Sequence, residues 1–162
     1  MRGNSLKLFV KLFVFLALFV FMTAVPGKAI EKIKPDARGT ALVNSLLEAL
    51  LLDDRDVRIA RLLPLVHMSL LSKDRRDLTW DIKEFSFKKA SANAKFYKFP
   101  VEIFEVHKGN EVTIGFKETA ERGRFTKYFV QKKSQQMGRP APITLFWPLD
   151  GGAPKVVDFG SL

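Results

Sequence analysis

The sequence ALVNSLLEALLLDDRDVRIARLLPLVHMSLL, residues 41–71, places apolar side chains three or four positions apart over most of its length. That spacing is typical of helices with one apolar face. The first apolar group consists of Leu42, Leu46, Leu47, Leu50 and Leu51. We therefore predict that this stretch is mostly helical and that it contributes buried leucines to a core, among them Leu46, Leu50 and Leu63.

The boundaries of these helices follow from capping residues. Asp36 precedes the first apolar group and Asp54 precedes the second, and aspartate is a favoured N-cap residue. Pro64 would break a helix interior, but it fits the first turn of a further helix over residues 65–71. We predict two or three consecutive helices between about residues 36 and 74.

Beyond residue 84 the apolar residues alternate with polar ones, which is typical of β-strands with one buried face. Turn-forming residues divide this region, and we predict turns at residues 107–111, 121–123 and 150–152. The predicted strands are residues 85–87, 96–106, 112–118, 124–133, 143–147 and 155–159. Helices followed by an antiparallel meander predict a single α+β domain over residues 30–162, with the helices packed on one face of a curved sheet.

In this order of elements the chain resembles the nuclear-transport-factor-2-like superfamily, which includes ketosteroid-isomerase-like and SnoaL-like proteins. The likeness rests on the helix over residues 41–57, the shorter helix over residues 60–71 and the long strands that follow. The resemblance implies a cone-like, cystatin-like fold whose open end holds a pocket between sheet and helices. Members include isomerases, dehydratases and binding proteins without known chemistry, and many of them form homodimers through the sheet.

The N-terminal segment, residues 1–29, has the pattern of a secretory signal peptide. Basic residues without an acidic one precede an apolar run over residues 12–25, and the small residues Gly27 and Ala29 end the segment. The alternative is a retained membrane anchor, although the run is shorter than the roughly 20 apolar residues that span a bilayer. Both alternatives predict export, to the periplasm or the medium. The absence of cysteine excludes disulfides, thiol nucleophiles and a lipid anchor on cysteine.

The net charge of +10 is partly a property of this segment. Without it, 23 basic and 17 acidic residues remain, and we do not predict nucleic-acid binding. Six cations follow one another without an intervening acid between residues 122 and 139: Arg122, Arg124, Lys127, Lys132, Lys133 and Arg139. We predict that they form a basic strip for an anionic envelope component such as lipid headgroups, acidic glycans or cell-wall polymers. The alternative is a solvated basic face.

The enzymes of the resembled superfamily place an aspartate base and a tyrosine or aspartic-acid donor in an apolar pocket, which raises carboxyl pKa values and strengthens hydrogen bonds to an enolate. The candidates for such roles are His67, Asp77, Asp81, Tyr97 and Tyr128. The candidate ligand-binding aromatics are Trp80, Tyr97, Phe99, Tyr128 and Trp147. Histidine spacing gives no metal motif, and no cofactor is predicted.

The sequence therefore predicts an exported, non-enzymatic binding or interaction domain with an apolar pocket and a basic strip. Its partner would be an unidentified small molecule or an anionic envelope component, and the resemblance implies a homodimer through the sheet. The alternative function is that of a small-molecule isomerase or dehydratase that uses a histidine or aspartate base in the pocket.

Cleavage of the signal segment is directly testable. We expect N-terminal sequencing of the exported protein to begin near Ile30, because the apolar run and the Gly27-x-Ala29 ending together define a cleavage site. A sequence that begins at Met1 would instead identify residues 1–29 as a retained anchor.

Overall fold

The structure is a computed structural model that describes residues 30–115 and 117–162. The predicted signal segment and Phe116 therefore lie outside the described residues. The two predicted helices are confirmed as α1, Ala37–Leu50, and α2, Arg55–Leu62. Their N-caps are also confirmed. Asp36 accepts hydrogen bonds from the backbone of Arg38 and Gly39, and Asp54 accepts them from Asp56 and Val57.

The third helix, predicted over residues 65–71, is wrong. The chain leaves the helical conformation after Leu63, and the Leu65 carbonyl accepts a hydrogen bond from the Val156 backbone nitrogen at 3.0 Å. The His67 backbone nitrogen donates to the Val156 carbonyl at 2.8 Å, so this segment is hydrogen-bonded to the strand that contains Val156. Only a 3-10 turn, Met68–Leu70, remains of the predicted helix.

The predicted strand over residues 85–87 is also wrong. Residues 82–96 form one helical segment: a π-helical turn Ile82–Phe87, then α3, Lys88–Asn93, then a 3-10 turn Ala94–Phe96. The buried side chains of this region recur at helical spacing, at Phe87, Ala90, Ala94 and Tyr97. We call residues 82–96 the second helical segment.

An antiparallel meander of five strands, β1 to β5 in spatial order, forms the sheet. The strands are β1 Glu31–Ile33, β2 Ile103–Ile114, β3 Glu121–Val130, β4 Ala141–Pro148 and β5 Lys155–Asp158. The α+β class is therefore confirmed, as is the last hairpin around residues 150–152, where Gly151 adopts a φ of 85°. The short strand β1 was not predicted, and residues 96–102 are not part of a strand.

Two of the predicted turns are wrong. Residues 107–111 lie inside β2, where the pairing with β3 shifts register between Lys108 and Glu111, so the turn-like composition makes a bulge. Residues 121–123 begin β3, and the turn that precedes them contains Gly115, with a φ of 94°, and the 3-10 turn Lys117–Thr119.

The core lies between the inner face of the sheet and the helices. It is formed by Val43, Leu46 and Leu50 of α1, by Phe87 and Ala90, and by strand residues that include Val106, Tyr128, Ile143, Leu145 and Val156. Leu46 and Leu50 are fully buried as predicted, whereas Leu63 is only partly buried. No helix within residues 30–115 and 117–162 is both long and apolar enough to cross a membrane.

Leu46→Ala tests this packing. We expect it to lower the free energy of unfolding by about 2–5 kcal/mol, because it empties a fully enclosed site in the core. The matched control is Leu51→Ala at the end of the same helix, where the side chain is 41% exposed. Chemical denaturation of both variants measures the difference, and equal midpoints would show that the buried face of α1 is misassigned.

Candidate functional site

Tyr97 and Tyr128, two of the predicted site residues, lie inside the core. The Tyr128 hydroxyl accepts a hydrogen bond from the Asp36 backbone nitrogen at 3.3 Å. Gly39 is required beside it, since a Cβ there would lie 2.1 Å from that hydroxyl. The Tyr97 hydroxyl is buried without a hydrogen-bond partner within the described residues. Burial raises the pKa of Tyr97 to about 12 and raises that of Tyr128, so both phenols stay neutral.

His67 lies on the opposite face of the sheet. Its ring packs edge-on against Phe146, at 5.3 Å between centroids, and Phe146 pairs across the sheet with Phe125. Side chains alternate along a strand, so Phe125 and Tyr128 point to opposite faces. The structure therefore does not bring His67 to either tyrosine hydroxyl, as an acid–base pair in an inner pocket would require.

The surroundings of His67 fix its ring. Nδ1 accepts a hydrogen bond from the Ser69 backbone nitrogen at 3.1 Å and lies 2.9 Å from the Ser69 hydroxyl. The ring proton is then on Nε2, which is 3.7 Å from a carboxylate oxygen of Glu121. With only 3% of the residue exposed, this arrangement leaves no room for a substrate at the ring.

The two candidate aspartates lie on the surface. Asp77 pairs with Lys83 at 2.5 Å and also accepts a hydrogen bond from the Leu78 backbone nitrogen. Asp81 is exposed, and a hydrogen bond from the Thr79 side chain lowers its pKa. Neither carboxylate faces the buried tyrosines, so the structure does not bring these candidate aspartates to a tyrosine hydroxyl.

The predicted ligand-binding aromatics occupy separate places. Trp80 is on the surface with 70% of its area exposed. Phe99 lines a cavity together with Lys98 and Glu102, and no other member of the set lines it. Trp147 is half-buried beneath the Arg38 guanidinium and donates to the Thr126 hydroxyl at 2.7 Å. The strand predicted over residues 96–106 is only partly correct, because Tyr97 and Phe99 precede β2, which begins at Ile103.

The six cations of the predicted strip are not gathered in one place. Arg122 and Lys132 are ten residues apart along nearly extended chain, which at about 3.3 Å per residue separates them by about 30 Å. Lys127 points to the face opposite Arg122 and Arg124, and Arg124 pairs with Glu111 at 2.7 Å. Anion binding by Arg122, Arg124, Lys127, Lys132, Lys133 and Arg139 stays a prediction.

A group of cations that the sequence analysis missed lines one groove of about 580 Å³ between α2 and the second helical segment. Its lining holds a single acidic residue, Glu84, and an apolar floor at Phe87. The cations are Arg55, Arg58, Lys83, Lys88 and Lys95. We call this cavity the basic groove. The spacing of residues 84, 88, 91 and 95 in the sequence indicates that they share one face of a helix. The prediction of a strand over residues 85–87 concealed this pattern.

Most of the positive charge in the basic groove is uncompensated. Lys83 is paired with Asp77, and the Arg58 guanidinium donates to the carbonyls of Leu52 and Asp53. Within the part of the chain that the structure describes, Arg55, Lys88 and Lys95 form no ion pair, and all three are exposed at the rim.

A buried polar atom also lines the basic groove. The Ser91 hydroxyl has no hydrogen-bond partner among the described residues, although it is shielded from solvent. Buried hydroxyls ordinarily have a partner, so an unpaired one in a cavity wall is available to a ligand. No group of three or more histidine, aspartate or glutamate side chains in the described ranges is placed to hold a metal ion.

Comparison of the chain with protein-family models, with curated proteins and with solved structures found no significant match. The resemblance to the nuclear-transport-factor-2-like superfamily, and the homodimer that it implies, therefore stay predictions. The outer face of the sheet carries the half-buried Phe125 and Phe129, on which such a homodimer would depend.

His67 should make stability depend on pH. Burial lowers its pKa below the ordinary value of 6.5, with Lys155 acting in the same direction and Glu121 in the opposite one. As the pH falls, His67 therefore takes up a proton in the unfolded chain before it does so in the folded chain. The free energy of unfolding then decreases as the pH falls from about 6.5 through the lowered pKa. We expect His67→Gln to lose less stability than the wild type between about pH 7.5 and about pH 5 in urea titrations. An equal decrease in the free energy of unfolding in both proteins would contradict the lowered pKa of His67.

Proposed function

We propose that the chain is an exported, non-enzymatic binding domain and that the basic groove is its site for an anionic ligand. The observation that carries this proposal is the convergence of five cations from two helical elements on one cavity with a single acidic residue in its lining. Like charges that outnumber their counter-charges repel one another, and a bound anion relieves that repulsion.

The side chains of the basic groove suit a ligand with phosphate, sulfate or carboxylate groups. An arginine guanidinium presents paired donors that match two oxygens of such groups, and lysine adds a mobile point charge. The Ser91 hydroxyl would donate to one further oxygen.

Less supports the isomerase or dehydratase alternative. A base and an oxyanion donor would have to share one cavity, whereas the tyrosine hydroxyls are in the core and His67 is behind the sheet. Export rests on the basic and apolar pattern of residues 1–29, which is typical of a signal segment.

The proposal is tested by calorimetric titration with inositol hexakisphosphate as a compact soluble polyanion. The triple variant Arg55→Gln, Lys88→Gln and Lys95→Gln removes exposed cations from the basic groove. We expect it to weaken binding about tenfold, because three exposed ion pairs at about 0.5 kcal/mol each together contribute about 1.4 kcal/mol.

The matched control removes the same charge from three exposed positions outside the groove, with Arg122→Gln, Lys127→Gln and Lys133→Gln. We expect this variant to retain most of the wild-type affinity. An equal loss in both variants would mean that only net charge attracts the anion. A selective loss in the control would favour the predicted basic strip, and either result would reject the basic groove as the site.

A further inference from the structure

Two large aromatic side chains are exposed where the second helical segment begins, one just before it and one in its first turns. Trp80 is 70% exposed and Phe85 is 66% exposed, and their rings meet edge to face with 6.0 Å between centroids. Single exposed apolar residues are ordinary on protein surfaces, but a paired tryptophan and phenylalanine form a continuous apolar projection. We call Trp80 and Phe85 the aromatic pair.

The aromatic pair adjoins the basic groove. Phe85 lines a second cavity, of about 440 Å³, together with Lys88, Lys89 and Gly160. Glu84, Lys88 and Ala92, four residues apart along the helix, line both this cavity and the basic groove. Lys88 and Lys89 thus line the same cavity as Phe85, and Lys88 also lines the basic groove.

We infer that this face docks on the surface of an anionic lipid bilayer, with the aromatic pair in the interfacial region and the neighbouring cations against the headgroups. The inference rests on the proposed function, since it names the source of the anions that the basic groove binds. Charge complementarity supports a bilayer as the partner. One acidic residue, Glu84, lines the two cavities, and Lys83 is paired with Asp77 outside them. The cations that line the two cavities are Arg55, Arg58, Lys83, Lys88, Lys89 and Lys95.

The chemistry of each group fits its place in such a complex. Tryptophan is favoured at the boundary between headgroups and acyl chains, where its ring is partly apolar and its N–H stays hydrated. Lysine and arginine bury their aliphatic stems and keep their charged ends at the headgroup level. Each cation close to an anionic surface adds about 1 kcal/mol of attraction, so several of them and two aromatic rings together give measurable binding.

Sedimentation with lipid vesicles tests the inference. Vesicles of phosphatidylglycerol and phosphatidylcholine should bind the exported protein, and vesicles of phosphatidylcholine alone should bind it much less. We expect Trp80→Ala with Phe85→Ala to weaken binding to the anionic vesicles at least about tenfold, since it removes the two rings that the lipid would bury. The matched control is Phe104→Ala with Leu149→Ala, which removes apolar side chains that are 62% and 48% exposed elsewhere.

Tryptophan fluorescence reports on the aromatic pair itself. The chain has two tryptophans, neither of them in residues 1–29, so the difference between the spectra of the wild type and Trp80→Phe isolates Trp80. We expect its emission to shift to the blue with anionic vesicles at about 0.1 M salt and much less at about 1 M, because screening shortens the reach of the cations. A retained N-terminal anchor would not produce this salt-dependent difference.

Failure of the inference can be distinguished from failure of the proposed function. Trp80 emission that ignores anionic vesicles, or equal vesicle binding by the aromatic-pair variant and its control, overturns bilayer docking even if inositol hexakisphosphate still binds in the basic groove. A change of oligomeric mass in the aromatic-pair variant, without any dependence on vesicles, would overturn it in favour of a second copy of the chain. Loss of groove specificity in the calorimetric test rejects the proposed function instead.

Discussion

The buried side chains of the second helical segment fix which of its faces points into the core. Phe87, Ala90, Ala94 and Tyr97 are each at most 3% exposed and recur at intervals of three and four residues. Close-packed interiors leave no space for larger groups at the two alanines, so the segment approaches the core closely there. With this face committed to the core, the side chains between these positions must point away from it. The positions of the basic groove and of the aromatic pair both depend on that constraint.

The same constraint explains which helix was predictable. In α1 the apolar positions repeat over about four turns, and only a helix puts them all on one face. In the second helical segment the large apolar residues were Phe85 and Phe87, two positions apart, which also fits a strand. The structure exposes one and buries the other. The helical repeat was carried by alanines, whose apolar character is too weak to decide the period.

Turn-forming residues alone did not show where the chain reverses direction, because strand pairing decides this. Residues 107–111 contain glycine and asparagine, yet β2 continues through them because β3 pairs with β2 on both sides of the bulge. Gly109 has a different role there, since a Cβ at that position would lie 2.8 Å from the Phe125 carbonyl oxygen. Local residues set the conformation that a segment tolerates, whereas the partner strand decides whether the chain reverses. The final hairpin was predicted correctly because turn composition and pairing agree there.

Whether a run of cations becomes a site depends on the element that carries it. On β3 successive side chains alternate between faces and advance about 3.3 Å per residue, so Lys127 points away from Arg122 and Arg124. On a helix the rise is about 1.5 Å per residue, so residues 88, 91 and 95 stay on one side within about 11 Å along the axis. The capping of α2 by Asp54 then brings Arg55, in its first turn, to the opposite wall of the same groove. The density of cations in the sequence is similar in β3 and in the second helical segment. The cations gather around one cavity only in the second helical segment, because the helical repeat places them on one side and α2 lies opposite.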